Sequence, residues 1–102
     1  MRRRIATAAL VAAGALGATM APAQDKQAEC AVQADMVMRV VESRAEGRDA
    51  PTTTSSVQGA LSGEEAKYAS VVPAVVEWVY TLPEDKLDES VGASWTEACL
   101  AQ

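Results

Sequence analysis

The chain has 102 residues, with nine Lys and Arg against fourteen Asp and Glu, two Cys, no His and no Phe. That length makes one small domain. Without an imidazole, Ser/His/Asp triads, Cys/His dyads and His-bearing zinc sites are excluded. The formal charge of −5 argues against nucleic acid as a partner, because phosphate-backbone affinity needs clustered Lys and Arg.

The first twenty-three residues read as an export signal. Arg2, Arg3 and Arg4 form a positive start, the run from Ile5 to Met20 is apolar and Ala-rich, and Ala21-Pro22-Ala23 offers a small-x-small cleavage site. The apolar run, about 16 residues long, falls short of the ~20 a spanning helix needs. Cys30 follows Gln27-Ala28-Glu29 rather than an apolar lipobox, which argues against a lipid anchor. The expected organisation is a cleaved signal over residues 1–23 and a single domain over residues 24–102. Its expected location is the periplasm or the exterior, with no membrane insertion after cleavage.

Cleavage removes three Arg and no acid, leaving six bases, fourteen acids and a formal charge of −8. The remaining 79 residues make a marginal apolar core, and domains of this size commonly need a covalent staple. In an oxidising compartment Cys30 and Cys99 can pair, closing a loop worth about 4 kcal/mol in the chain-entropy model. A reactive or metal-binding thiol pair is disfavoured, because the chain has neither C-x-x-C spacing nor a His partner. No metal or cofactor is expected.

Four helical segments follow. The first runs from about Asp25 to Glu46, with Cys30, Ala34, Val37, Val41 and Ala45 on one face. Gly47 suits its C-terminal cap, and Arg44 and Arg48 suit the negative end of its dipole. A second apolar strip, Val32, Met36 and Val40, lies away from Cys30 and suggests contact with another helix or chain. The polar stretch from Arg48 to Thr54 reads as a loop. Ser55-Ser56-Val57-Gln58 then resembles a capping box that opens a short helix ending at Leu61.

Ser62-Gly63-Glu64-Glu65 is a stronger capping box for a third helix reaching Tyr80. On a helical wheel its apolar residues cover an arc of about 200°, wider than the roughly 100° of an ordinary surface helix. Either this helix is central, or part of its face is uncovered. Pro73 predicts a bend or fresh start near Val72. A strand over Val71–Tyr80 is the competing assignment, but Pro73 would spoil a central strand and no second strand is available to pair with it. Thr81-Leu82-Pro83-Glu84 predicts the start of a fourth helix, with Leu87, Val91, Trp95, Ala98 and Cys99 facing inward. The fold class is therefore all-α, a bundle of three to four helices stapled by one disulfide.

The acidic cluster Glu84, Asp85, Asp88 and Glu89 fits a helix start better than a calcium site, since it lacks the alternating ligands and glycine turn of an EF-hand. No carboxylate pair is singled out for sugar hydrolysis. Trp78 and Tyr80 lie at the margins of the apolar arc and are candidate partner anchors, with Val76, Met36 and Val40 beside them. Trp95 suits a core that has no Phe to fill it.

Val75-Val76-Glu77-Trp78-Val79-Tyr80-Thr81-Leu82-Pro83-Glu84, continuing to Ala98-Cys99, resembles the Tai-type immunity proteins of type VI secretion, in which an apolar helix, a Pro-Glu turn and a final helix ending in Cys recur. In general design the chain also resembles the HdeA-like acid-stress chaperones of the periplasm. The expected function is non-enzymatic binding of another protein, immunity-like or envelope-associated. An acid-stress chaperone is the first alternative and a small hydrolase the second.

Overall fold

The computed structural model describes residues 25–102, and the export signal expected at residues 1–23 lies outside them. Helix α1 occupies residues 25–45. Gly47, at φ 90°, ends it as expected. The Arg48 N–H reaches the Ser43 carbonyl at 3.1 Å and the Gly47 N–H reaches the Arg44 carbonyl at 2.9 Å, the paired bonds of a Schellman cap.

Helix α2, Ala50–Ala60, begins where a loop was expected. The Asp49 carboxylate accepts the Thr52 N–H at 2.8 Å and Pro51 stands in the first turn, so both ordinary start signals are present. Thr53, Val57 and Leu61 then repeat every four residues and are buried. The box at Ser55–Gln58 is consequently not a helix start, and Ser55 lies exposed inside α2.

The third segment is not one α-helix. Gly63–Val71 is a 3-10 segment, and α3 begins at Val72 and runs to Val79. Pro73 explains the division, because an α-helix through this region would leave the Ala69 carbonyl without the N–H of residue 73. The tighter winding supplies the Val72 N–H instead, and the Gln58 side chain of α2 adds a second donor at 2.9 Å. The Ser62 hydroxyl makes no capping bond; the Glu65 N–H goes to the Ser62 carbonyl at 3.1 Å. The fresh start near Val72 stands, and among the described residues there is no strand.

Breaking the segment in two also removes the basis of the 200° arc. Val72, Val75, Val76 and Val79 form a stripe of ordinary width facing the core. The central helix is α1, which buries Cys30, Met36, Val37, Val40, Val41 and Ser43 on two adjoining faces. Arg44 of α1 serves the end of α3 rather than its own dipole, donating to the Val79 carbonyl at 2.7 Å and to the Leu82 carbonyl. Its guanidinium lies 5.6 Å from the centre of the Tyr80 ring.

Thr81-Leu82-Pro83-Glu84 does not open the last helix. The Thr81 hydroxyl donates back to the Trp78 carbonyl at 2.6 Å, and a 3-10 turn, Glu84–Lys86, precedes α4 at Ser90–Leu100. The Asp88 carboxylate accepts the Ser90 N–H at 2.9 Å, so this acid organises the helix entry. Within α4, Val91 and Gly92 are the buried residues. A Cβ on Gly92 would stand 2.9 Å from Met38 Cγ, so α4 approaches α1 more closely than a larger residue permits.

Cys30 and Cys99 are bonded, with Cα atoms 5.7 Å apart, joining the start of α1 to the end of α4. Nine of the twelve buried hydrophobic residues are valines. Among these apolar groups sits one polar knot: Thr53, wholly buried, meets the Tyr80 hydroxyl at 2.7 Å, and that hydroxyl donates to the Arg48 carbonyl at 2.6 Å. No buried side-chain nitrogen or oxygen among the described residues lacks a partner.

Candidate interaction surface

The five residues expected to contact a partner separate into three environments. Met36, Val40 and Val76 are each at most 2% exposed and belong to the core, so none of them is presented on the surface. Met36 and Val40 are buried because α1 packs on two faces, with Val32 of the same strip half-buried, and Val76 is buried because α3 is a separate, ordinary amphipathic helix. Tyr80 is half-buried and held in the knot with Thr53. Trp78 alone keeps a large apolar surface open to solvent, at 36% exposure.

Trp78 stands beside Trp95 of α4, with ring centres 5.7 Å apart and planes tilted by 45°. The Trp95 indole N–H donates to Gln33 Oε1 of α1 at 3.0 Å, which fixes the ring and satisfies its only polar atom. Val71, Ala74 and Trp78 fall at i, i+3 and i+7, on the side of the chain away from Pro73 and Glu77. With Tyr68, Val75, Gln33 and Trp95 they line a groove of about 480 Å³. A second hollow of about 400 Å³ adjoins it, sharing Gln33 and Trp95 and extending to Ala98, Cys99 and Gln102. Three of the chain's four aromatic side chains therefore meet at one groove.

The helical wheel puts Val71, Val75 and Tyr68 on the same apolar arc as Trp78 but does not point to Ala74 or Gln33. The spacing of Val71, Ala74 and Trp78 was a usable signal. Gln33 carried none, because its role depends on where α4 lies.

At the edge of the groove the Tyr68 hydroxyl donates to the Glu29 carboxylate, which also receives Lys67 at 2.8 Å. Hydrogen bonding to Glu29, together with the Glu29 and Glu64 charges, raises the Lys67 ammonium above its ordinary value despite some desolvation. The bases are largely occupied: Arg39 pairs with Glu65, Arg48 with Glu46, Arg44 holds carbonyls and Lys26 donates to the Gln102 carbonyl. Asp25, Asp35, Glu42, Glu77, Glu84, Asp85, Glu89 and Glu97 are exposed and form no ion pair among the described residues. The described residues as a whole are thus strongly acidic, with fourteen acids against six bases.

Among the described residues no group of three metal-ligating side chains converges, and no helix is long and apolar enough to cross a membrane. The two hollows together offer apolar area and the amide groups of Gln33 and Gln102. Comparison with family models, with characterised proteins and with solved structures gave no match to this chain.

Proposed function

We propose that the chain is an exported, non-enzymatic protein-binding module whose contact surface is the groove between Trp78 and Trp95. The observation that carries this reading is Trp78: a large aromatic side chain left over one third exposed beside a second indole, in a small domain with few aromatics to spare. Burying such a side chain against a partner removes substantial apolar area from water, and Trp is enriched where binding energy concentrates. Export is supported by the Arg2–Arg4, apolar and Ala21-Pro22-Ala23 pattern, and the Cys30–Cys99 bond is compatible with an oxidising compartment. An immunity role, implied by the resemblance over Val75–Glu84, is one form of such binding.

Site-specific photo-crosslinking tests it. A photoreactive residue at position 78 should give a discrete adduct in cells that export the protein, and the same residue at the exposed Ser55 of α2 should not. No adduct at position 78, or equal adducts at both positions, refutes the proposal.

A further inference from the structure

The groove's chemistry narrows the kind of partner it fits, taking as given that the groove binds protein. The partner cannot add a strand: the described residues form only helices and turns, so no sheet edge offers backbone donors and acceptors. A segment entering an apolar groove must then satisfy its own backbone hydrogen bonds, which a helix does. Two hollows meet at Trp95 and share Gln33, giving places for successive anchors of an amphipathic helix.

Charge supplies the second constraint. Asp25, Glu29 and Gln33 follow one another at i, i+4 and i+8, so two acids lie in the same row of α1 as a groove-lining residue. Both lysines near this edge are engaged, Lys67 with Glu29 and Lys26 with the Gln102 carbonyl. Over the described residues as a whole, fourteen acids stand against six bases. A partner carrying Lys or Arg gains attraction from this surface, whereas an acidic one is repelled.

We infer that the groove takes the apolar face of a basic amphipathic helix of another protein, its anchors seated on either side of Trp95. Because both tryptophans line the site, their emission reports occupancy directly. The probe is a synthetic amphipathic helix of about 18 residues built from Leu, Ala and Lys, long enough for several apolar turns. Its comparators are a version with Glu for Lys and a scrambled version of the same composition.

The Lys peptide should shift the tryptophan emission to the blue, and raising NaCl from about 50 mM to about 500 mM should weaken binding at least tenfold. Trp78→Ala and Val71→Lys, both at exposed positions, should each weaken it at least tenfold while leaving the helical circular dichroism unchanged. Equal binding of the Glu or scrambled peptide, indifference to salt, or no effect of either substitution overturns the inference. If crosslinking at position 78 succeeds while the Lys peptide fails to bind, protein binding stands and the basic helix is refuted.

Discussion

Replacing Cys30 and Cys99 by Ala is expected to release α4 before it unfolds the remainder. The bond spans 69 positions of sequence, and a loop of that size is worth about 4 kcal/mol in the chain-entropy model. A domain of this length is ordinarily stable by only about 4–12 kcal/mol, so the loss is a third or more of the total. It falls unevenly. Val91 is the one buried side chain of α4, supported by the Gly92 approach to Met38 and the Trp95–Gln33 bond. By contrast α3 buries four valines.

Urea titration should show the tryptophan signal, one of whose two sources is Trp95, changing at a lower concentration than the helical circular dichroism. Total stability should fall by about 4 kcal/mol. Reduction of the unsubstituted protein gives the same comparison without removing the buried sulfur of Cys30. A loss below about 1 kcal/mol, or coincident transitions by both probes, would refute the view that α4 depends on the covalent link. The groove would be lost along with α4, because Trp95 forms one of its walls.

Val40→Ala should cost about 2 kcal/mol by chemical denaturation, as for any buried branched side chain, whereas a surface Val40 would move stability by under about 0.5 kcal/mol. Gly92→Ala gains about 1 kcal/mol of helix propensity but drives a methyl to 2.9 Å from Met38 Cγ, so a net loss is expected, turning into a gain when combined with Met38→Ala; a gain in the single variant would refute the close packing. Hydrogen bonds from Thr52 and from Ser90 hold the Asp49 and Asp88 carboxyls below their ordinary value near 3.8, so their stabilisation is complete above that pH and is lost as pH falls through the depressed values. Thermal midpoints should therefore decline below about pH 4, and less steeply in the Asp49→Asn, Asp88→Asn double variant; the raised Lys67 loses its contribution only as alkaline pH passes through its raised value. Thr53→Val should cost about 1 kcal/mol and broaden the methyl resonances of the core while leaving helix content intact, and unchanged line widths would count against the knot.

Features set by neighbouring residues were readable before the fold was known. Gly47 ends α1 through its own backbone conformation, Pro73 forces a restart at Val72, and the cysteines lie on apolar faces of terminal helices. The start of α2 was also written locally, in Asp49 and Pro51, but the polarity of Thr52, Thr53 and Thr54 concealed it. A buried Thr looks like a loop residue until its partner, Tyr80, is known. The 3-10 winding of Gly63–Val71 depends partly on Gln58 reaching Ala69 from another helix, which no spacing within the segment announces. For the site, exposure at the edge of α3 was legible for Trp78. The wheel misled for Met36, Val40 and Val76 because it cannot count how many neighbours a helix has.

The valine-rich core has a consequence for how one arrangement is chosen over others. A slip of α2 along α3 by one turn would carry Val57, the one valine of α2, from one valine of α3 to the next at small cost in apolar contact. The hydroxyls of Thr53 and Tyr80 break that degeneracy, because in the slipped register the wholly buried Thr53 hydroxyl would lose its partner. One polar pair thereby acts as the index mark that aligns α2 on the repetitive valine face of α3.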